Sequence, residues 1–181
     1  MVKKLGFDLD GVLYPWHLYV WEYLYNSGQT DYTYDYFWTY VWKIMPDKFW
    51  HDITRVESLF RGAPFDGAVD VVNKCAKKYD VFYLTKREKE MTDVTSDFLV
   101  KNNFPNSDEL FIIQYGKEDF ISKFKTDYYV EDRADYLKSL QGTTSLIGVR
   151  QRWNDDYYEQ ASNNGIVWIN NILELPKVLG I

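Results

Sequence analysis

The sequence predicts an α/β fold, with a central and mainly parallel sheet flanked by helices and a small helical unit inserted after the first strand. From residue 66 onward, strand-like and helix-like segments alternate at the spacing of repeated βα units. Between the first strand and residue 66 that rhythm breaks, and about 50 residues pass without a strand pattern. A chain of 181 residues, 46% hydrophobic and 27% charged, can close one sizeable core plus an insertion, but is short for two ordinary domains.

The first strand is expected over 4–9, where Leu5-Gly6-Phe7 leaves the core and ends in two acids, Asp8 and Asp10, followed by Gly11. The insertion, 15–62, holds five of the seven tryptophans (Trp16, Trp21, Trp38, Trp42, Trp50) and many tyrosines. Trp21 and Tyr25, then Phe37, Tyr40 and Val41, recur at helical intervals, which predicts a small helical bundle. Large aromatic side chains are what a unit of that size needs to build a core. The flanking segments, 1–14 and 63–181, would form the sheet-bearing core. Its further strands are expected near 80–85, 110–114, 127–131, 145–149 and 166–169. Helices are expected over 67–78, 88–103, 117–125, 133–140, 155–164 and 171–179.

The totals exclude several classes. No stretch of about 18 apolar residues occurs, so no membrane span is expected, and Val2-Lys3-Lys4 is not followed by a signal-type apolar segment. The single cysteine, Cys75, rules out an internal disulfide and fits a reducing compartment, so a cytoplasmic location is expected. A net charge of -6 argues against a nucleic-acid polymer as partner, since backbone binding relies on Lys and Arg. Small phosphorylated ligands stay open, and so does a homodimer.

The candidate site residues fall at strand ends, where open α/β sheets bind ligands. Two carboxylates spaced two apart can divide labour, one attacking as nucleophile and one moving a proton. Crowding them calls for a hard cation such as Mg2+, which takes oxygen ligands and suits a phosphate site. A polar turn is the plainer reading of the same residues taken alone. The second strand ends in Thr85-Lys86-Arg87, a hydroxyl and two cations; Thr85 can donate to a phosphoryl oxygen and Arg87 can add a forked contact. Lys117 opens a predicted helix after Gly116, with Lys123 and Lys125 as competitors. Glu131-Asp132-Arg133-Ala134-Asp135 ends the fourth strand and would complete an oxygen-rich cage; an acidic helix start is the alternative. Tyr14, Trp16 and Tyr19, nearest the acids, are placed to wall a planar ligand. His17 and His51 are too isolated for a metal motif, and Cys75 reads as packing.

Taken in order, strand-DxDGV, strand-Thr, loop-Lys and strand-EDxxD, the chain resembles the haloacid dehalogenase superfamily of aspartyl phosphotransferases. The resemblance implies a Rossmann-like core with a C1-type cap, an aspartyl-phosphate formed on Asp8, and Asp10 as general acid and base. It implies phosphate contacts from Thr85 and Lys117, and Mg2+ held by the Asp8 side chain, the Asp10 carbonyl and Asp132, with Glu131 competing for the last place. Within that superfamily the chain is most similar to the 5'(3')-deoxyribonucleotidases. That similarity rests on DGVL in the first motif, the compact insertion, Phe60-Arg61-Gly62-Ala63-Pro64-Phe65-Asp66-Gly67-Ala68, Glu131-Asp132-Arg133 and the Arg152-Trp153-Asn154 turn. It implies a nucleotidase, and the positions of Lys86, Arg87, Tyr14 and Trp16 beside the acids and the second strand's end make them the candidates for substrate contact. Other phosphomonoesters, a nucleic-acid 3'-phosphate, or a signalling module holding phosphate without turnover are the alternatives.

Overall fold

A computed structural model describes residues 2–160 and 165–181. Strands β1 (Lys4–Phe7), β2 (Asp80–Thr85), β3 (Leu110–Ile112), β4 (Tyr128–Glu131), β5 (Ser145–Val149) and β6 (Val167–Ile169) form one sheet in the order β3-β2-β1-β4-β5-β6. Every pairing is parallel. Parallel neighbours require crossovers, and the crossover helices cover both faces, which is why the central strands are apolar on both sides.

Alternation along β2 shows the two layers. Val81 and Tyr83 face one core with Leu5 and Phe7 of β1, packed under α4 (Ala68–Ala76), α5 (Thr92–Lys101) and α9 (Leu175–Leu179). Phe82 and Leu84 face the other, with Tyr129 and Leu146, under α6 (Lys117–Lys123), α7 (Ala134–Ser139) and α8 (Asp155–Gln160).

The segment after β1 is helical, as its spacing predicts. It contains α1 (Trp16–Asn26), α2 (Tyr34–Tyr36) and α3 (Asp47–Ile53). A π-helical turn (Phe37–Val41) and a 3-10 turn (Trp42–Ile44) continue α2, and a further 3-10 turn spans Glu57–Phe60. Its aromatics make a third buried cluster around Val20, Phe37, Trp38 and Phe60, which also takes in Met91 and Val94 from the α5 region.

Several boundaries differ from expectation. β1 stops at Phe7, not residue 9, because the Leu9 carbonyl accepts from the backbone N–H groups of Val12, Leu13 and Tyr14 and turns the chain back on itself. β3 ends at Ile112, although Ile113 still donates to the Thr85 carbonyl. The expected helix at 88–103 begins as a 3-10 turn, Lys89–Met91, before α5, and that at 171–179 as Ile172–Glu174 before α9. The last four residues expected in helix 155–164 lie outside the described residues. Among the described residues, no helix is long and apolar enough to cross a membrane.

Gly6 sits in the sheet centre, in register with Phe82 on one side and Tyr129 on the other. A Cβ there would overlap both rings. Gly6→Ala should therefore cost about 1–3 kcal/mol of stability through overpacking. Urea unfolding checks this, and an unchanged midpoint would contradict the packing described.

Candidate active site

The strand order reverses at β1, which pairs with β2 on one side and β4 on the other, and the crevice at the carboxyl ends of these strands is where such a sheet binds ligands. Asp8 leaves β1 there, its backbone N–H still bonded to the Val130 carbonyl at 3.0 Å. Glu131 ends β4 and Asp132 follows it, while Lys117 is the first residue of α6. Asp8, Thr85, Lys117, Glu131 and Asp132 are all buried.

Lys117 is the hub. Its Nζ donates to Asp8 Oδ1 at 3.0 Å and to Glu131 Oε2 at 2.8 Å. Burial alone would pull its pKa down, but Asp8 and Glu131 override that and hold the ammonium well above its usual value. Glu131 spends its other oxygen on the backbone N–H groups of Asp132 and Arg133, both at 3.0 Å. Both of its oxygens are thus occupied. Asp8 keeps Oδ2 without a hydrogen bond among the described residues. Burial pushes the Asp8 carboxyl up to about 7 despite Lys117, with Glu131 and Asp10 pushing the same way.

Asp132 is held on one side only. Trp153 Nε1 donates to its Oδ2 at 2.7 Å, while Oδ1 is buried with no hydrogen-bond partner. Burial, with Glu131 and Asp8 nearby, holds its pKa well above the ordinary carboxylate value. Oxygens of Asp8, Glu131 and Asp132 lie within 4.8 Å of one another. Three carboxylates share one ammonium there, and one buried oxygen lacks a donor. That is a donor set suited to a hard cation such as Mg2+, and it favours Asp132 over Glu131 as a ligand. Gly11, at φ +82°, carries the backbone so close to Asp132 that a Cβ would collide with that carboxylate.

A cavity of about 700 Å³ opens over these groups. Asp8, Asp10, Thr85, Lys86, Lys117 and Asp132 border it below, as does Arg87. Trp16, Trp38, Trp42, Trp50 and Trp153, with His17 and Phe60, form its aromatic wall. Trp16 stacks on Phe60, with centroids 6.2 Å apart. The indole N–H groups of Trp16 and Trp42 are buried without an acceptor. Lys86 stays at the exposed mouth over the rings of Tyr115 and Tyr136.

One expectation needs correction, and one residue has a partner that its spacing does not show. Tyr14 does not wall the cavity: its ring is fully buried, and its hydroxyl donates to the Leu59 carbonyl at 2.7 Å and accepts from the Gly62 N–H at 2.9 Å. Tyr19 similarly accepts from the Ala63 N–H, so both tyrosines fasten the returning chain. Arg87 reaches the cavity, but its fork is closed on Asp10, Nη2 to Oδ1 at 2.6 Å and Nε to Oδ2 at 3.0 Å. Sequence spacing could not show that pairing, nor the Trp153 bond to Asp132, since each joins loops from separate strands.

No protein-family model matches the chain. A putative HAD-hydrolase from Bacillus subtilis, bound to magnesium, superposes with a TM-score of 0.66 at 14% identity over 99% of both chains. The chain has the haloacid dehalogenase fold. An L-2-haloacid dehalogenase from Xanthobacter autotrophicus shares this haloacid dehalogenase fold with a TM-score of 0.65, at 12% identity over 99% of both chains. In sequence, a Bacillus cereus protein named "Putative nucleotidase" is 25% identical over 163 residues, covering 77% of this chain and 81% of that protein.

His17 offers a test of the cavity's dryness. Its ring packs 3.9 Å from that of Trp153, and burial pushes its pKa from 6.5 down to about 3. Above pH 6.5 both folded and unfolded forms are neutral and nothing is lost. Below it the unfolded chain takes the proton first, so stability falls. Between about pH 6.5 and 4.5 this residue should cost about 2–3 kcal/mol. His17→Gln should flatten the corresponding slope in urea unfolding; parallel profiles for the two proteins would contradict it.

Proposed function

We propose that this protein is a Mg2+-dependent phosphomonoester hydrolase that works through an aspartyl-phosphate on Asp8 and acts on nucleoside monophosphates. The observation that carries the reading is the buried, unpartnered Asp132 Oδ1 beside the Asp8–Lys117–Glu131 cluster. Asp8, Asp132 and the Asp10 carbonyl would hold Mg2+, which when bound offsets the charge of phosphoryl oxygens.

The residues divide the work. Lys117 fixes Asp8 through Oδ1, leaving Oδ2 to attack phosphorus. As the ester P–O bond breaks, Asp10 gives its proton to the leaving oxygen; it then takes a proton from the water that attacks the phosphorus of the acyl phosphate, freeing phosphate and restoring Asp8. Thr85 would donate to a phosphoryl oxygen, and Lys86 would meet the substrate at the mouth. Dehalogenation delivers no proton to an ester oxygen, so Asp10 favours the phosphatase reading over the dehalogenase chemistry for which structural neighbours such as the Xanthobacter autotrophicus protein are named.

Residues 15–62 act as a cap in this reading. The tryptophan wall, Trp16 included, offers flat apolar faces, and stacking on a base is worth roughly 1–3 kcal/mol. The Bacillus cereus relative's name points the same way. The cavity volume lies in the range of small-molecule sites.

Phosphate release from a panel of nucleoside monophosphates and sugar phosphates, with and without Mg2+, tests this. Wild type should turn over nucleotides in preference, and Asp8→Asn should abolish release; no turnover, or turnover by Asp8→Asn, would refute it. Mg2+ at about 100 times its Kd should stabilise the folded protein by about 2.7 kcal/mol. Asp132→Asn should lose that gain in thermal unfolding, and an undiminished gain would remove Asp132 from the metal site.

A further inference from the structure

Arg87 is the most heavily committed side chain at the site. Its side chain is 1% exposed while the Asp10 side chain it grips is 25% exposed. Besides the two bonds to Asp10, Nη1 donates to Thr95 Oγ1 on α5 at 3.1 Å. The guanidinium carbon lies 5.1 Å from the centre of the Tyr14 ring and 4.6 Å from that of Phe60. Tyr14 and Phe60 belong to the two chain segments that lead into and out of the helical insertion, and the Tyr14 hydroxyl bonds to backbone on either side of Phe60, at Leu59 and Gly62. The fork is therefore fixed on three sides before it meets Asp10.

We propose that Arg87 is a positioning residue for Asp10 rather than a ligand of the substrate phosphate, and that it ties the direction of that carboxylate to the two ends of the insertion. This rests on the phosphomonoesterase reading above. With Nε and Nη2 on Asp10 and Nη1 on Thr95, three of the five N–H donors of the guanidinium are committed within the protein, both prongs of the Nε–Nη2 fork among them, and its carbon lies over the Tyr14 and Phe60 rings. As the P–O bond breaks, the proton passes from Asp10 to the ester oxygen, and the carboxylate left behind is the form that a bidentate guanidinium holds best. The contribution of Arg87 is then greatest where the leaving oxygen most needs a proton.

Phenyl phosphate and p-nitrophenyl phosphate separate the two roles, because they share a shape while nitrophenolate departs readily without protonation. The readout is kcat/KM with Mg2+ for wild type, Arg87→Lys, Thr95→Val and, as reference, Asp10→Asn. Arg87→Lys should lose on the order of 10²-fold on phenyl phosphate, as misplaced catalytic groups do, and clearly less on p-nitrophenyl phosphate, following the pattern of Asp10→Asn. Thr95→Val, which removes one anchor of the fork and should fold, should shift the ratio in the same direction by less; it carries the comparison if Arg87→Lys fails to fold. Equal losses on both esters would overturn the inference and make Arg87 a phosphate ligand. No turnover by wild type of either ester or of any nucleoside monophosphate would overturn the phosphomonoesterase reading as well.

Discussion

Everything at this site depends on one buried ammonium. Lys117 is removed from solvent among three carboxylates, and it bonds to two of them. Removing it would leave Asp8 and Glu131 charged and unpaired in the interior, a change that typically costs about 3–5 kcal/mol. Its placement at the start of α6, after Gly116 in the left-handed region, brings it across the end of β1 to β4. One ammonium cannot balance three acids, and the surplus is what suits the cluster to the proposed cation. Glu131 is absorbed by Lys117 and by backbone N–H groups, so Asp132 is left with the open oxygen.

Above that polar floor lies an apolar roof. The insertion's tryptophans build the third buried cluster and also face the cavity, so the same side chains stabilise the unit and shape the space over Asp8. Trp153 joins the two levels, since its ring packs against His17 and Trp38 while its N–H bonds to Asp132. Displacing the insertion would therefore disturb a residue that orients the proposed metal ligand. Tyr14 and Tyr19 pin the returning chain at Gly62 and Ala63, which fixes the base of the insertion against the sheet.

The sheet is legible in the sequence because each parallel strand is buried on both faces and reads as a short apolar run between helical patterns. The positions of Asp8, Thr85 and Asp132 are legible for the same reason, since each stands at the end of such a run and strand ends converge at the crevice; Lys117 is legible as the start of the helix that follows Gly116. Tyr14 misleads because nearness in sequence to Asp10 suggests nearness to the ligand, whereas the turn around the Leu9 carbonyl directs its ring into the core. The Arg87 fork on Asp10 is hidden because it depends on how the loops after β1 and β2 face each other, which apolar periodicity does not encode. The Trp153 bond to Asp132 is hidden in the same way, between the loops after β4 and β5.

The central claim is that Asp8, activated by its place beside Lys117, becomes covalently phosphorylated. Acid quench during turnover of a phosphomonoester, followed by peptide mass analysis, tests it most directly. One phosphoryl group is expected on the peptide that contains Asp8, and none on that peptide from Asp8→Asn. Steady turnover with no phosphorylated peptide, or a phosphoryl group on another residue, would contradict it.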